Sequence, residues 1–129
     1  MIISSVCEGV RNDRHAPTRL GRRHTVPVRQ SILDIAGHRV HYVDEGSGPT
    51  LLFLHGNPTW SFLYRDVIAS LRDEFRCIAV DYPGFGLSTA ARGYRFLPAE
   101  HAKVTAEFVE TLGLTDVALV AHDWGGPIG

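Results

Sequence analysis

Three short stretches of this 129-residue chain hold residue types able to do chemistry: H-G-N-P-T-W at 55–60, D-Y-P-G-F-G-L-S at 81–88 and A-H-D-W-G-G at 121–126. In the last, Ala121 stands two before Asp123 and Gly125 two after it, the small-x-nucleophile-x-small spacing of a strand-to-helix elbow. Small residues are needed there because strand and helix cross tightly at a strained turn, which pushes the central side chain outward. A serine at that place would suit a carbonyl carbon and would need a base to take its proton. A carboxylate is already anionic and can displace a leaving group from saturated carbon, leaving an alkyl ester that water later opens at the carboxyl carbon. A helix beginning at Trp124 would favour the anion, and a dry pocket would strengthen its attack. Asp123 also reads as an ordinary helix cap after a strand, and on this segment alone both readings stand.

Such chemistry needs elements that bring the three stretches together. From Val28 the pattern is regular: S-I-L-D-I-A-G-H-R-V-H-Y-V-D-E-G reads as two strands joined at Ala36-Gly37, with Val40 and Tyr42 on one face and His41 and Val43 on the other. T-L-L-F-L is apolar at successive positions, as in a strand covered on both faces of a parallel sheet. Thr59 is expected to cap a helix carrying Trp60, Leu63, Tyr64, Val67, Ile68 and Leu71 along one stripe. R-C-I-A-V-D and D-V-A-L-V-A read as further buried strands. Between them Pro98 opens a helix with Val104, Phe108 and Leu112 on its apolar face and Gly113 as its stop. Hairpin, strand, helix, strand, helix, strand is the order of an α/β protein with a mostly parallel sheet. In such sheets the ligand crevice lies beyond the carboxyl ends of the strands, here after Leu54, Val80 and Ala121, where the three stretches stand.

Composition is ordinary, with 44% hydrophobic residues, 21% charged residues and a net charge of -1. That balance points away from nucleic acid and anionic membrane as partners, since either wants a clustered basic excess. Arg11, Arg14, Arg19, Arg22 and Arg23 lie in an N-terminal stretch without apolar periodicity, so residues 1–27 read as a flexible extension. No apolar run has signal-peptide character or approaches the ~20 residues of a membrane span. Cys7 and Cys77 make no disulfide framework, and a reducing cytoplasm is the expected compartment. No protein partner is inferable.

Taken together, H-G-N-P-T-W-S-F-L-Y-R, D-Y-P-G-F-G-L-S and H-D-W-G-G resemble the haloalkane dehalogenase family of the α/β-hydrolase fold, over residues 28–129 and in order. The resemblance implies Asp123 as nucleophile toward a small halogenated alkane, with no cofactor and no metal. It assigns halide contact to the side chains of Asn57 and Trp124 and the oxyanion hole to their backbone N–H groups; an indole is a donor only, and an oxyanion needs donors aimed at developing charge. Taken as a turn amide and a core aromatic, the same two residues would have no such role. In the family the cap, the acid partner and the catalytic histidine all follow the nucleophile. The resemblance therefore implies the N-terminal half of the fold, with residues 28–129 an incomplete core domain ending just after the elbow and unable to turn over alone. Its last strand would be a central one left as an open apolar edge, so the chain is expected to fold poorly or aggregate. Epoxide hydrolases of the same fold also place Trp after the Asp and are the rival reading, as is a non-catalytic truncated product. Epoxide hydrolases must protonate an alkoxide and carry a bulky apolar residue where Asn57 stands, so Asn57 favours the dehalogenase.

Other polar residues read as structural. His55 is expected to hold its loop, His122 to pack, and Asp81 to order its loop through backbone amides. His38 and His41 sit three apart, on opposite faces of one strand, so they share no metal. Cys77 reads as a small core residue.

Overall fold

A computed structural model of the chain describes residues 28–129. The extension expected over 1–27 lies outside the described residues. The elements are β1 (Gln30–Ile35), β2 (His38–Glu45), β3 (Thr50–Leu54), a 3-10 turn (Ser61–Tyr64) running into α1 (Arg65–Leu71), β4 (Arg76–Val80), α2 (Pro98–Thr111), β5 (Ala118–Ala121) and the short α3 (Gly125–Ile128). They build one five-stranded sheet in the order β1-β2-β4-β3-β5. β1 and β2 form the expected hairpin, pairing Ile35 with His38 across Ala36 and Gly37, whose φ angles of 48° and 81° make the tight turn. β2 meets β4 antiparallel, whereas β3 runs parallel to both β4 and β5. This is the expected fold class: a mixed α/β sheet with flanking helices, matching part of an α/β-hydrolase fold.

The alternation of side chains explains why β3 and β4 are apolar at every position. Leu52, Leu54, Ile78 and Val80 join Val40 and the α2 residues Val104 and Phe108 on one face of the sheet. Phe53, Cys77 and Ala79 join Val43, Tyr64 and Ile68 on the other. Burial of each large apolar side chain contributes about 1.5–3 kcal/mol, so two cores hold one sheet between them. Helix α2 has Pro98 in its first turn and ends in a Schellman motif. Gly113 takes φ +61°, its N–H bonds Glu110 O, and Leu114 N–H bonds Val109 O.

Two expectations change. Thr59 does not cap a helix: its hydroxyl and its N–H both close on the Gly56 carbonyl, at 2.9 and 3.1 Å, in a local turn. The following 3-10 turn then rotates the apolar stripe, because three residues per turn advance about 20° more per residue than an α-helix. Tyr64 and Ile68 face the core, while Leu63 and Val67 are 41% and 42% exposed. The second change concerns β5, whose own residues read as a buried strand although the resemblance implied an open apolar edge. Among the described residues it pairs only with β3, and Leu119 is 41% exposed, so the strand is half-buried at the sheet edge. No helix among the described residues is long and apolar enough to cross a membrane.

Candidate active site

The three loops at the carboxyl ends of β3, β4 and β5 meet as expected. β5 runs into α3 through Asp123, whose φ of 54° is a left-handed conformation that a non-glycine residue adopts only when its surroundings impose it. The turn is tied by Gly126 N–H to Asp123 O at 3.1 Å and by His122 N–H to Leu54 O at 3.2 Å. The crossing is tight: a Cβ on Gly125 would lie 2.2 Å from the Leu54 carbonyl oxygen. This is why a residue without a side chain follows two after Asp123. Gly56 serves the same closeness from the other loop, since a Cβ there would lie 2.7 Å from Asp123 Oδ2.

The Asp123 carboxylate therefore reaches the loop after β3. Asn57 N–H donates to Asp123 Oδ2 at 3.1 Å. That bond, followed by one from the Trp124 N–H, holds the carboxyl below its ordinary value of 3.8, so it is anionic at neutral pH. The cause differs from the helix-terminus field expected from the sequence. α3 is only four residues long with Trp124 at its N-cap, and two discrete N–H groups favour the anion. Among the described residues the carboxylate is not enclosed: Asp123 is exposed and Trp124 is 47% exposed. The three loops wall the site together with α2 and α3 among the described residues.

Beside the carboxylate lies a cleft of about 240 Å³ lined by Gly56, Asn57, Trp124, Tyr82, Phe96 and His101, with other apolar side chains between them. Asn57 and Trp124 are thus brought together: their backbone N–H groups favour the carboxylate, and both residues line the cleft.

Buried polar residues hold these loops. Asp81, fully buried, accepts from Ser61 N–H at 2.7 Å through Oδ1, and from Leu87 N–H at 3.0 Å and His41 Nδ1 at 2.8 Å through Oδ2. It orders its own loop, as expected, and the loop after β3 as well. His55 bonds the Gly56 carbonyl through Nδ1 at 2.8 Å, which requires the proton there, and accepts from Tyr82 N–H through Nε2 at 3.2 Å. Burial lowers its pKa, so it is a neutral strut. His38 accepts from Ala91 N–H at 2.9 Å, on the strand face opposite to His41. His122 departs from expectation: it is exposed beside Asp123, because the elbow turns it away from the core.

Three cleft residues went unread in the sequence. Tyr82 was legible as the first residue of a crevice loop, and His101 as one helical step before Val104 and Thr105. Phe96, in a left-handed conformation at φ 60°, gave no signal.

Residues 49–129 match the family model described as alpha/beta hydrolase fold, and the chain belongs to that family. Within it, the chain is 55% identical over 102 residues to Haloalkane dehalogenase 2 of Mycobacterium tuberculosis, a match covering 79% of this chain and 36% of that protein. The structure resembles that of a loop variant of the haloalkane dehalogenase DbeA from Bradyrhizobium elkanii (TM-score 0.76, 28% identity, 80% of this chain and 35% of that one). It also resembles the epoxide hydrolase VrEH1 from Vigna radiata (TM-score 0.72, 30% identity, 79% and 34%). The chain spans about a third of the length of the curated relatives it matches.

Proposed function

We propose that these residues supply the nucleophile and the anion-binding groups for hydrolytic dehalogenation of a haloalkane through an alkyl ester of Asp123. The observation that carries the reading is the Asn57 N–H on Asp123 Oδ2, with Asn57 and Trp124 both lining the adjoining cleft. Oδ2 is held by its donor, which leaves Oδ1 to attack. Oδ1 forms a bond to the halogen-bearing carbon, the carbon–halogen bond breaks, and the halide departs with the electron pair toward the Trp124 indole N–H and the Asn57 amide. The ester carbonyl oxygen is then Oδ2, already where backbone donors meet charge as water adds to Cγ. Water must lose a proton in that step, and among the described residues no imidazole hydrogen-bonds the carboxylate. The expected behaviour of this chain alone is alkylation of Asp123 without turnover.

Mass spectrometry after incubation with 1-bromobutane tests this. One butyl adduct is expected on the chain and none on Asp123→Asn; equal adduct on both removes the assignment. The similarity to VrEH1 supports a second reading, epoxide opening by the same carboxylate. Asn57, a donor suited to a halide, favours the first. An adduct formed from a terminal epoxide and not from the bromoalkane would reverse the preference.

A further inference from the structure

The cleft beside Asp123 is mostly apolar, yet two residues that line it, Tyr82 and His101, each carry a side-chain polar atom with no hydrogen-bond partner among the described residues. Tyr82 is 3% exposed and its hydroxyl is buried with nothing bonded to it. His101 is 5% exposed, and only its Nδ1 is engaged, 2.8 Å from the Tyr94 hydroxyl. Buried polar groups without partners are rare in folded chains, because each forfeits its bonds to water. The Tyr82 hydroxyl is such a group, and beside it on the cleft His101 carries a ring nitrogen that no group among the described residues engages; together they complement a polar ligand.

Both groups are fixed in place. The Tyr82 ring packs against His55, Phe85 and His101 at centroid distances of 4.1, 6.3 and 5.2 Å. His101 sits in α2, held by the Tyr94 hydroxyl, and its carbonyl accepts from Thr105 Oγ1 at 2.8 Å. The Tyr94 pKa is pushed up to about 12, so Tyr94 keeps its proton. The hydroxyl and Nδ1 pair in either sense, and the His101 tautomer then makes Nε2 a donor or an acceptor. The cleft thus offers one imidazole nitrogen and one phenol that both donates and accepts.

We propose that Tyr82 and His101 form a hydrogen-bonding subsite that selects haloalkanes whose carbon chain ends in a neutral polar group, an alcohol or an ether, over hydrocarbon chains of equal length. This rests on the dehalogenase reading of Asp123. The subsite's own charge state excludes charged substituents. Burial lowers the His101 pKa and raises that of Tyr82, so both are neutral at pH 7 and provide no counter-charge to a carboxylate or an ammonium. Size points the same way: at about 240 Å³ the cleft is smaller than the ~300–1,000 Å³ of pockets for drug-sized ligands, so a short chain with one terminal group fits. Shielding from bulk water means that a bond made at the Tyr82 hydroxyl meets little solvent competition. Phe96, half-exposed and lining the same cleft, is the side chain that must give way as the group enters.

The test compares 3-bromo-1-propanol with 1-bromobutane, which differ by OH for CH3, on the 129-residue chain. Ester formation on Asp123 is followed by mass and the His101 imidazole by 15N NMR. The ratio of alcohol to alkane alkylation rates is expected to fall about three- to tenfold in Tyr82→Phe, the range one hydrogen bond accounts for. The bromobutane rate of the same variant is the reference for that ratio. Taking the ratio of ratios cancels intrinsic reactivity, and Tyr82→Phe deletes only an unpartnered hydroxyl. Should that variant not fold, His101→Gln carries the same expectation. The His101 resonance is expected to shift with the alcohol and not with the alkane. If both compounds esterify Asp123 and the ratio does not move, the subsite is refuted and the nucleophile stands. If neither esterifies Asp123, the nucleophile assignment fails and the imidazole shift alone decides the subsite, which equal or absent shifts would overturn.

Discussion

At the scale of single residues, the site turns a common carboxylate into a placed one. Asp123 owes its low pKa to the N–H groups of Asn57 and Trp124 and keeps its charge although it is exposed. The sign follows directly. A carboxyl whose folded value is depressed keeps its favourable bonds above the ordinary value of 3.8 and loses them as pH falls through its own lower value. Alkylation of Asp123 is therefore expected to be flat near neutral pH and to fall in acid with a midpoint below 3.8. An NMR titration of the Asp123 carboxyl, run beside the alkylation rates, checks this; a midpoint above 3.8 would contradict the hydrogen-bonded geometry. Asp123 itself was legible from spacing, because Ala121 and Gly125 betray a tight crossing. The partners of Asp81 were not: Ser61, Leu87 and His41 lie 20, 6 and 40 residues away, and no local pattern encodes such bonds.

At the scale of elements, what the sequence made readable was periodicity and punctuation. The alternation through Val40, His41, Tyr42 and Val43 divides β2 between two cores, and Gly113 stops α2 where a left-handed residue is required. Thr59 misled because two local bonds to the Gly56 carbonyl outcompeted a helix cap, and the 3-10 turn then moved Leu63 and Val67 off the buried stripe. The elbow depends most on Gly125. Its missing side chain lets α3 cross over the Leu54 carbonyl, and a methyl group at 2.2 Å from that oxygen has nowhere to go. Gly125→Ala is expected to cost about 1–3 kcal/mol, the usual range for overpacking. Chemical denaturation measures it, and an unchanged midpoint would mean that the crossing is looser than described. Gly56 is constrained in the same way, because a methyl group there would lie 2.5 Å from the Asp123 Cβ, which cannot swing aside as a carboxylate could.

At the scale of the whole molecule, the sheet is asymmetric. The hairpin closes one side, and β5 ends the other with Leu119 exposed. A flat apolar edge strand is a template for pairing with another chain. Concentration-dependent association is expected in sedimentation velocity, and Leu119→Lys should reduce it by placing a charge on that strand. Equal association of both forms would locate the sticky surface elsewhere. The exposed apolar side chains of Phe62, Leu63 and Val67 on α1 and the preceding turn are the competing patch. The same asymmetry explains the open site, since three loops from one end of the sheet wall a carboxylate on one side.

The account rests on an ester of Asp123, and its chemistry distinguishes it from every other adduct. Peptide mapping of the bromobutane-treated chain, with and without hydroxylamine, is the direct measurement. The prediction is a butyl group on Asp123 that hydroxylamine removes, since an ester is cleaved where an alkylated imidazole or thiol is not. A butyl group stable to hydroxylamine on the exposed neighbour His122 or on Cys77, with Asp123 unmodified, would contradict it.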